Sequence, residues 1–163
     1  EDEETDPAFY HYQGNSDLPE FDEDGVKGRL IAGTNDGLSA NVKTHSPLFY
    51  LHWEVEAGAS RSLSAEYSER AIYVARGELE VDGRTVPQGS MIVPDASHAL
   101  QVTARAPSIA ILLGGEPLGE RYISWNFVSS SKERLEQARA DWAQQRMKLP
   151  VGDDQEFMPL PSD

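Results

Sequence analysis

Short apolar segments separated by turn residues run through the chain from residue 26 to residue 113, and this pattern constrains the fold more than any other feature. In the clearest segment, Leu48–Glu56, every second residue is apolar, so one strand face consists of Phe49, Leu51, Trp53 and Val55. The pair Asp82-Gly83 predicts a two-residue hairpin turn, because both of its positions need a positive φ. Many short strands joined by such turns are typical of antiparallel barrels and sandwiches.

The pattern predicts a set of strands at Val26–Ala32, Leu48–Glu56, Ala71–Ala75, Glu78–Val81, Ser90–Val93, Ala99–Thr103 and Ser108–Leu113. All of them are short, and Gly, Pro, Asn or Asp residues lie between most of them. We therefore predict an all-β fold with one C-terminal helix, arranged as a small antiparallel barrel or jelly roll.

The predicted helix follows the last strand. Leu135, Ala138 and Trp142 recur at helical spacing and would pack on the sheet, while Ser130 with Glu133 predicts a capping box at the helix start. We expect one domain, or one domain with arms, because 163 residues suffice for a single core. The predicted segments are an acidic extended arm over residues 1–25, the barrel over 26–128, the amphipathic helix over 129–149 and an extended tail over 150–163.

The formal net charge is −14, and much of it is local. Residues 1–24 contain ten acidic residues and no lysine or arginine. A surface this acidic repels phosphate backbones, so we expect no direct nucleic-acid binding. Two interpretations of the acidic arm remain open: a solvated segment, or a segment that docks on a basic partner surface.

Several classes of site and location are excluded by what the sequence lacks. The absence of cysteine excludes disulfides and thiolate metal sites. No apolar run approaches the roughly 18 residues of a membrane span, and no secretory leader is visible, so we expect a cytoplasmic protein without membrane association. The sequence has no phosphate-binding loop before a helix, no His-Glu-x-x-His motif and no nucleophile elbow, and we predict no catalytic residue.

Two glycine-framed stretches resemble the two signatures of cupin barrels. Gly58 and Gly77 bracket the first stretch, and Gly89, Pro94 and His98 match the second. In cupins the first signature supplies two histidines and a glutamate and the second supplies one histidine, all directed into the barrel. Such a set of nitrogen and oxygen ligands with open positions suits non-haem iron and similar ions. The resemblance implies a cupin barrel, also called a double-stranded β-helix.

The metal ligands of the first signature are mostly replaced in this chain. Ser64 and Glu66 occupy the two histidine positions, and Arg70 occupies the glutamate position, with Glu69 one residue out of phase. A cationic Arg70 would repel a metal ion, so we predict a barrel without a strong metal site and no cofactor in this chain. His98, Glu66 and Glu69 are weak candidate metal ligands, and His98, Glu66 and Arg70 are the candidate ligand-binding residues.

Two histidine-containing features have more than one interpretation. His98 is either a metal ligand or a partly buried histidine at a strand end that is hydrogen-bonded to a neighbour. His52 and Glu54 share one strand face, so together they could bind a cation or share a proton. Because that face is opposite the apolar face of the same strand, we favour a solvated or interface patch.

The stretch from Gly114 to Ser131, which includes Gly-Glu-Pro-Leu-Gly and Tyr-Ile-Ser-Trp-Asn-Phe, resembles the C-terminal half of pirin-like proteins. The helix after it and the tail with Gly152-Asp153-Asp154 extend the resemblance. Pirins are iron-binding bicupins. Some are similar to quercetin 2,3-dioxygenases, and the eukaryotic members act as transcription cofactors. The resemblance places iron or another divalent metal in an N-terminal cupin that is absent here.

From this resemblance we expect a C-terminal, metal-free cupin that supports the N-terminal cupin of a parent dioxygenase. This chain alone is not expected to be catalytic. The alternative is a non-catalytic module that binds a small ligand, such as an aromatic molecule, or a protein partner, in the manner of a transcription cofactor. The expected partners are the N-terminal cupin half or a second copy of the chain.

Overall fold

A computed structural model of the chain describes residues 17–95, 97–150, 152 and 154–161. The chain divides into two compact units, whose described parts lie within residues 17–117 and 118–161. The described residues include no helix long and apolar enough to cross a membrane.

The first unit consists of two antiparallel sheets. Its strands are β1 (Glu20–Glu23), β2 (Val26–Asn35), β3 (Leu38–Ser39), β4 (Leu48–Val55), β5 (Ser60–Leu63), β6 (Glu69–Arg76), β7 (Glu78–Val81), β8 (Arg84–Pro87), β9 (Met91–Ile92), β10 (Leu100–Ala104) and β11 (Ser108–Gly115). The large sheet has the order β1-β2-β4-β11-β6-β9, with β3 paired to β2, and the small sheet has the order β5-β10-β7-β8. The predicted all-β fold with one C-terminal helix is confirmed.

The core of this unit is formed by the inward residues of both sheets. The predicted apolar face of β4 is buried, with Phe49, Leu51, Trp53 and Val55 each at most 4% exposed. Residues of the small sheet, among them Leu79, Val81, Leu100 and Val102, belong to the same buried cluster. Alternation along each strand therefore decides which side chains reach the interior.

Four strands of this unit, β1, β3, β5 and β8, lie outside the predicted set. β1 lies inside the stretch that was predicted as an extended arm, and Phe21 of this strand packs edge-on against Trp53 at 6.5 Å. The guanidinium of Arg61 lies 4.0 Å from the centre of the same ring. β5 is polar except for Leu63: Ser60 and Ser62 are exposed, and Arg61, on the same strand face as Leu63, is half-buried. A strand with a single inward apolar residue carries almost no periodic signal.

Three hairpins of the barrel close on an Asp-Gly pair in which both residues have a positive φ. Asp24-Gly25 joins β1 to β2, Asp36-Gly37 joins β2 to β3, and Asp82-Gly83 joins β7 to β8. The hairpin predicted at Asp82-Gly83 is confirmed, since Val81 pairs with Arg84 across the turn. Two consecutive residues with positive φ match the right-handed twist of the flanking strands.

The second unit contains a hairpin, β12 (Tyr122–Ser124) with β13 (Phe127–Ser129), and the helix α1 (Lys132–Ala143). The helix is shorter than the predicted range of 129–149. Its N-cap is Ser131 instead of the predicted Ser130, because the Ser131 hydroxyl accepts the Arg134 amide at 3.2 Å. The helix packs against the hairpin and buries Leu135.

An aromatic cluster connects the hairpin, the helix and the tail of this unit. Trp142 lies 5.8 Å from Trp125, 6.4 Å from Phe127 and 5.1 Å from Phe157, measured between ring centres. The indole N–H of Trp142 also donates to the carbonyl oxygen of Met158 at 2.8 Å. This stack and this hydrogen bond attach the tail to the helix.

Candidate functional site

The residues at the ligand positions of the first cupin signature lie between the end of β5 and the start of β6. Ser64 directly follows β5, Glu66 lies in the loop, and Arg70 is the second residue of β6. Arg70 is on the same face of β6 as Ile72 and Val74, which are fully buried. Strand alternation therefore directs Arg70 toward the interior, as the signature predicted.

Arg70 forms a bridge between the two signature segments. It is only 3% exposed, and its guanidinium donates to the carbonyl oxygen of Ser64 at 2.9 Å and to that of His98 at 3.0 Å. The planar guanidinium presents several donors in a fixed geometry, which suits it to two acceptors on different loops. The two backbone segments that supply metal ligands in a complete cupin site are here connected by a cation.

The His98 side chain is directed to a different partner. Its imidazole Nε2 lies 3.1 Å from an Asp82 carboxylate oxygen, and the other Asp82 oxygen accepts the Gln101 amide at 2.8 Å. The predicted hydrogen bond to a neighbour is present, but the predicted partial burial of His98 is wrong. Its side chain is 69% exposed, because its ring reaches the turn between β7 and β8, while its backbone carbonyl faces Arg70.

The Asp82 carboxylate has a lowered pKa. The main cause is the hydrogen bond from the Gln101 amide, and the His98 side chain and the positive charge of Arg70 lower the pKa further. Partial desolvation opposes these effects. Sequence reasoning assigned Asp82 only to a turn and missed this role, because its partners His98 and Gln101 are 16 and 19 positions away.

The candidate carboxylates do not join His98 in a metal site. A Glu66 carboxylate oxygen accepts the backbone amide of Asp36 at 3.1 Å. Glu69 is exposed at the start of β6. Among the residues that the structure describes, no three His, Cys, Asp or Glu side chains form a group that could hold a metal ion.

A cavity of about 690 Å³ lies at the end of the large sheet, where β6 begins and β11 ends. Its described lining includes the polar residues Ser68, Glu69, Arg70 and Asp95 and the apolar residues Val93 and Leu113. Glu66 and His98 are not among the described lining residues. A volume of this size, with apolar walls and a few polar groups, suits a small organic ligand.

The outer face of the large sheet carries an apolar patch, defined here as the outer patch: Tyr73, Met91, Val93, Ile111 and Leu113. Ile111 is paired with Tyr73, and Tyr73 is paired with Met91, so the patch crosses three strands. Met91 is 53% exposed and Val93 is 70% exposed. The central strand β11 is therefore apolar on both of its faces. Strands of this kind are typical of a sheet that is covered on both sides.

The pair predicted at His52 and Glu54 lies beside this outer patch. His52 is paired with Ile111 on one side and with Arg29 on the other. His52 is half-buried and Glu54 is exposed. Both side chains are on the outer face of the sheet, which agrees with the predicted solvated or interface patch and separates them from Arg70 in the interior.

Several known proteins are similar to this chain in sequence or in structure. The family described as "Pirin C-terminal cupin domain" matches residues 50–148. A pirin-like protein from Caulobacter vibrioides is 52% identical over 98% of this chain, and the match covers 55% of that relative. A Pseudomonas aeruginosa protein provisionally named quercetin 2,3-dioxygenase is 31% identical, covering 83% of this chain and 43% of its own length.

The crystal structure of a quercetin 2,3-dioxygenase from Acinetobacter baumannii superposes with a TM-score of 0.74 at 22% identity. The superposition covers 90% of this chain and 50% of that chain. The predicted cupin barrel is thereby confirmed. The chain spans about half the length of the relatives it matches.

Proposed function

The chain belongs to the pirin family, and from that premise we propose that it is the metal-free C-terminal barrel that supports a metal-bearing N-terminal cupin. The names of its relatives suggest quercetin 2,3-dioxygenase as the activity of such a parent protein. The oxygen chemistry would belong to the other half. The present chain would contribute stability and a docking surface.

The observation that carries this proposal is the position of Arg70. A metal site needs neutral or anionic donors with free lone pairs, and a guanidinium has no lone pair to offer and stays protonated in proteins. The residues present therefore do not fit the iron site that the cupin fold implies. The Ser64 and His98 carbonyl oxygens accept the two Arg70 donors, and a cation between them would repel a second cation.

The outer patch is the surface that we assign to the docking of the N-terminal half. Its most exposed members, Met91 and Val93, lie on and beside the edge strand β9. The relatives contain a further half of comparable length that could cover it. A contiguous group of exposed apolar side chains indicates an interaction surface, whereas single exposed apolar residues are common on any protein.

The first experiment measures metal and turnover. The purified chain is incubated with Fe²⁺, Mn²⁺, Ni²⁺ or Zn²⁺, desalted, and analysed for metal by mass spectrometry and for oxygen-dependent loss of quercetin. We expect far less than one metal ion per chain and no turnover. One metal ion per chain that remains after desalting would refute the metal-free assignment.

The second experiment measures docking. The chain is co-expressed with the half of the Caulobacter vibrioides relative that it does not match, and the two are co-purified. Met91→Glu with Val93→Glu should abolish co-purification. Val128→Glu is the matched control, because Val128 is similarly exposed at 57% but belongs to β13, outside the outer patch. Equal loss with both variants would contradict the assigned surface.

The cavity beside Arg70 favours a second candidate function, a module that binds a small aromatic ligand. The apolar walls at Val93 and Leu113 would contact a ring, and Glu69, Arg70 and Asp95 would contact its polar groups. Quercetin is the probe, titrated without metal and followed by NMR. Ala71→Phe, which fills the cavity, should abolish its shifts, whereas Ala75→Phe on the same strand face should not.

A further inference from the structure

The second unit has a cleft that is rich in basic residues, although the chain as a whole is acidic. The cleft has a volume of about 530 Å³ and lies between β12 and α1. Its described lining contains three cations, Arg121, Lys132 and Arg139, and one acid, Glu136. A concave site lined mainly by one sign of charge concentrates ions of the opposite sign. The lining therefore indicates an anionic ligand.

Most of the negative charge of the chain lies outside the segment that forms this cleft. Residues 118–163 contain six basic and eight acidic residues, a net charge of −2, whereas the whole chain carries −14. At physiological ionic strength, exposed charges interact over only about 8 Å. The field in the cleft is therefore set mainly by its own three cations and one acid.

Two of the three cations have no carboxylate partner in the part of the chain that the structure describes. Arg121 donates to the carbonyl oxygen of Glu120 at 2.9 Å, and the Lys132 ammonium lies 4.9 Å from the centre of the Tyr122 ring. Lys132 and Glu136 have the spacing at which opposite charges pair along a helix, yet these two described residues form no ion pair. Arg121 and Lys132 therefore retain hydrogen-bond donors for an anion.

The third cation is oriented by the hairpin. Arg139 is half-buried, and its guanidinium donates to the Ser124 hydroxyl at 2.8 Å. Lys132 and Arg139 are seven positions apart, which is about two helical turns, so they lie on the same face of α1. Arg121 directly precedes β12. The contact between α1 and β12 thus brings together cations from two elements.

Apolar side chains line the same cleft. Ile123 is 73% exposed, the largest exposed fraction among the large apolar residues that the structure describes. Tyr122 is half-buried and Leu135 is buried. The volume of the cleft lies within the range of roughly 300–1,000 Å³ that is typical of small-molecule sites. A matching ligand therefore has an anionic group next to an apolar part.

We propose that Arg121, Lys132 and Arg139 bind the phosphate group of a small organic phosphate, whose apolar part contacts Ile123 and Tyr122. A phosphate monoester carries about −1.5 to −2 charges at pH 7 and has three strong acceptor oxygens, so it can contact all three cations. Arginine presents paired donors that match phosphate geometry, and lysine adds a point charge. All described lining residues belong to the second unit, so this site goes beyond the support role and does not depend on it.

The first test measures ligand selectivity with phenyl phosphate as the probe. It is titrated into the isotope-labelled chain while backbone amide NMR shifts are followed, and we expect saturable shifts at Tyr122–Ser124 and Lys132–Arg139. Benzenesulfonate has the ring but a single negative charge, and inorganic phosphate has the charge but no ring, so each should bind several-fold more weakly. Binding of phenyl phosphate should also weaken below about pH 6, where its dianion gains a proton.

The second test removes the charges of the cleft. Arg121→Gln with Lys132→Gln should weaken phenyl phosphate binding at least about tenfold, because a hydrogen bond to a charged group contributes on that order. Both residues are exposed, and loss of a cation from the first turn favours α1, so circular dichroism should show an intact helix. The matched control, Arg146→Gln with Lys148→Gln, removes the same charges from the same unit outside the described lining and should change the affinity little.

The third test removes the apolar contact. Ile123→Ser should reduce the preference for phenyl phosphate over inorganic phosphate while leaving the affinity for inorganic phosphate nearly unchanged. An unchanged preference in this variant, or equal affinities of the two anions for the unmodified chain, would contradict the assignment of an organic ligand.

Two further results would overturn the proposal. One is the absence of saturable shifts at the cleft with phenyl phosphate. The other is equal weakening of binding by the cleft variant and by the matched control, since that would reduce the effect to the total charge of the unit.

Discussion

The Arg70 guanidinium donates to the backbone carbonyl of His98 at 3.0 Å, while the imidazole of His98 binds Asp82. One histidine thus serves two polar networks, one through its backbone and one through its ring. The signature histidine is retained in the sequence, but its ring is used outside the barrel. This arrangement explains how a cupin frame can persist without the ligand set that normally accompanies it.

Replacing Arg70 with methionine should destabilise the barrel. The carbonyl groups of Ser64 and His98 would lose a buried donor, and each buried unsatisfied group costs about 1–3 kcal/mol. We expect a loss of about 2–5 kcal/mol in the free energy of unfolding, measured by urea denaturation. Arg84→Met, at an exposed position on β8, is the control and should change stability by less than about 0.5 kcal/mol. Equal effects would show that Arg70 is not a structural bridge.

Asp82→Asn should make the barrel less stable at neutral pH. Asparagine tolerates the positive φ of this turn position, so the substitution removes mainly the charge. The Asp82 pKa lies below its ordinary value of 3.8. Its contribution is therefore complete above that value and is lost as the pH falls through the folded-state pKa. We expect a difference of about 1 kcal/mol at pH 7 that shrinks at acidic pH.

The measurement is chemical denaturation of both proteins between pH 7 and the acid limit of folding, at pH values spaced about one unit apart. A difference between the two proteins that stays constant down to the lowest pH would contradict the assigned role of the Asp82 charge.

Gly77→Ala should be much more harmful than Gly83→Ala. Both glycines have nearly the same positive φ, +81° and +79°. A methyl group on Gly77 would overlap the Ser108 hydroxyl and lie 2.6 Å from the carbonyl oxygen of Pro107, whereas the space around Gly83 is open. We expect about 1 kcal/mol for Gly83→Ala and about 3 kcal/mol or more for Gly77→Ala. Thermal unfolding measures both, and similar losses would contradict the close approach.

Ser131→Ala should weaken the start of α1 by about 1 kcal/mol, because the side chain that accepts the Arg134 amide is removed. The Ser131 hydroxyl also donates to Glu133 at 2.8 Å and is the main cause of the lowered pKa of that carboxyl. In the variant the Glu133 pKa should therefore rise toward its ordinary value, as NMR titration would detect. Ser130→Ala should leave the Glu133 pKa unchanged. If the Glu133 pKa rose in Ser130→Ala, the cap would be Ser130, as the sequence predicted.

The sequence predicted those strands whose inward residues are apolar. β4 was found because four alternating residues face the core, and β7 was found with its exact limits, Glu78–Val81. β5 was missed because Leu63 is its only apolar residue. The hairpin of β12 and β13 was missed because it is short and its apolar residues Ile123 and Val128 point outward.

The candidate site was predictable in position but not in its contacts. Spacing from Gly58 and Gly77 assigned Arg70 to an interior position, and strand alternation places it there. Its partners are the backbone carbonyls of Ser64 and His98. Every residue has a backbone carbonyl, so the amino-acid sequence does not indicate which ones accept these hydrogen bonds. The pairing of Asp82 with His98 likewise depends on β10 lying beside β7, which local sequence does not encode.

The Asp-Gly turns also affect the chemical stability of the protein, because Asp-Gly sequences can isomerise to isoaspartate. Glycine has no side chain to shield its backbone nitrogen, and attack of that nitrogen on the preceding aspartyl carboxyl closes a succinimide that reopens largely as isoaspartate. At Asp82 both carboxylate oxygens accept hydrogen bonds, from Gln101 and His98, which must break before the ring can close. Asp24 and Asp36 have no such bonds to their carboxylates among the described residues. Chemical damage during storage should therefore accumulate first in the turns around β2 and last at the turn that adjoins the cupin signature.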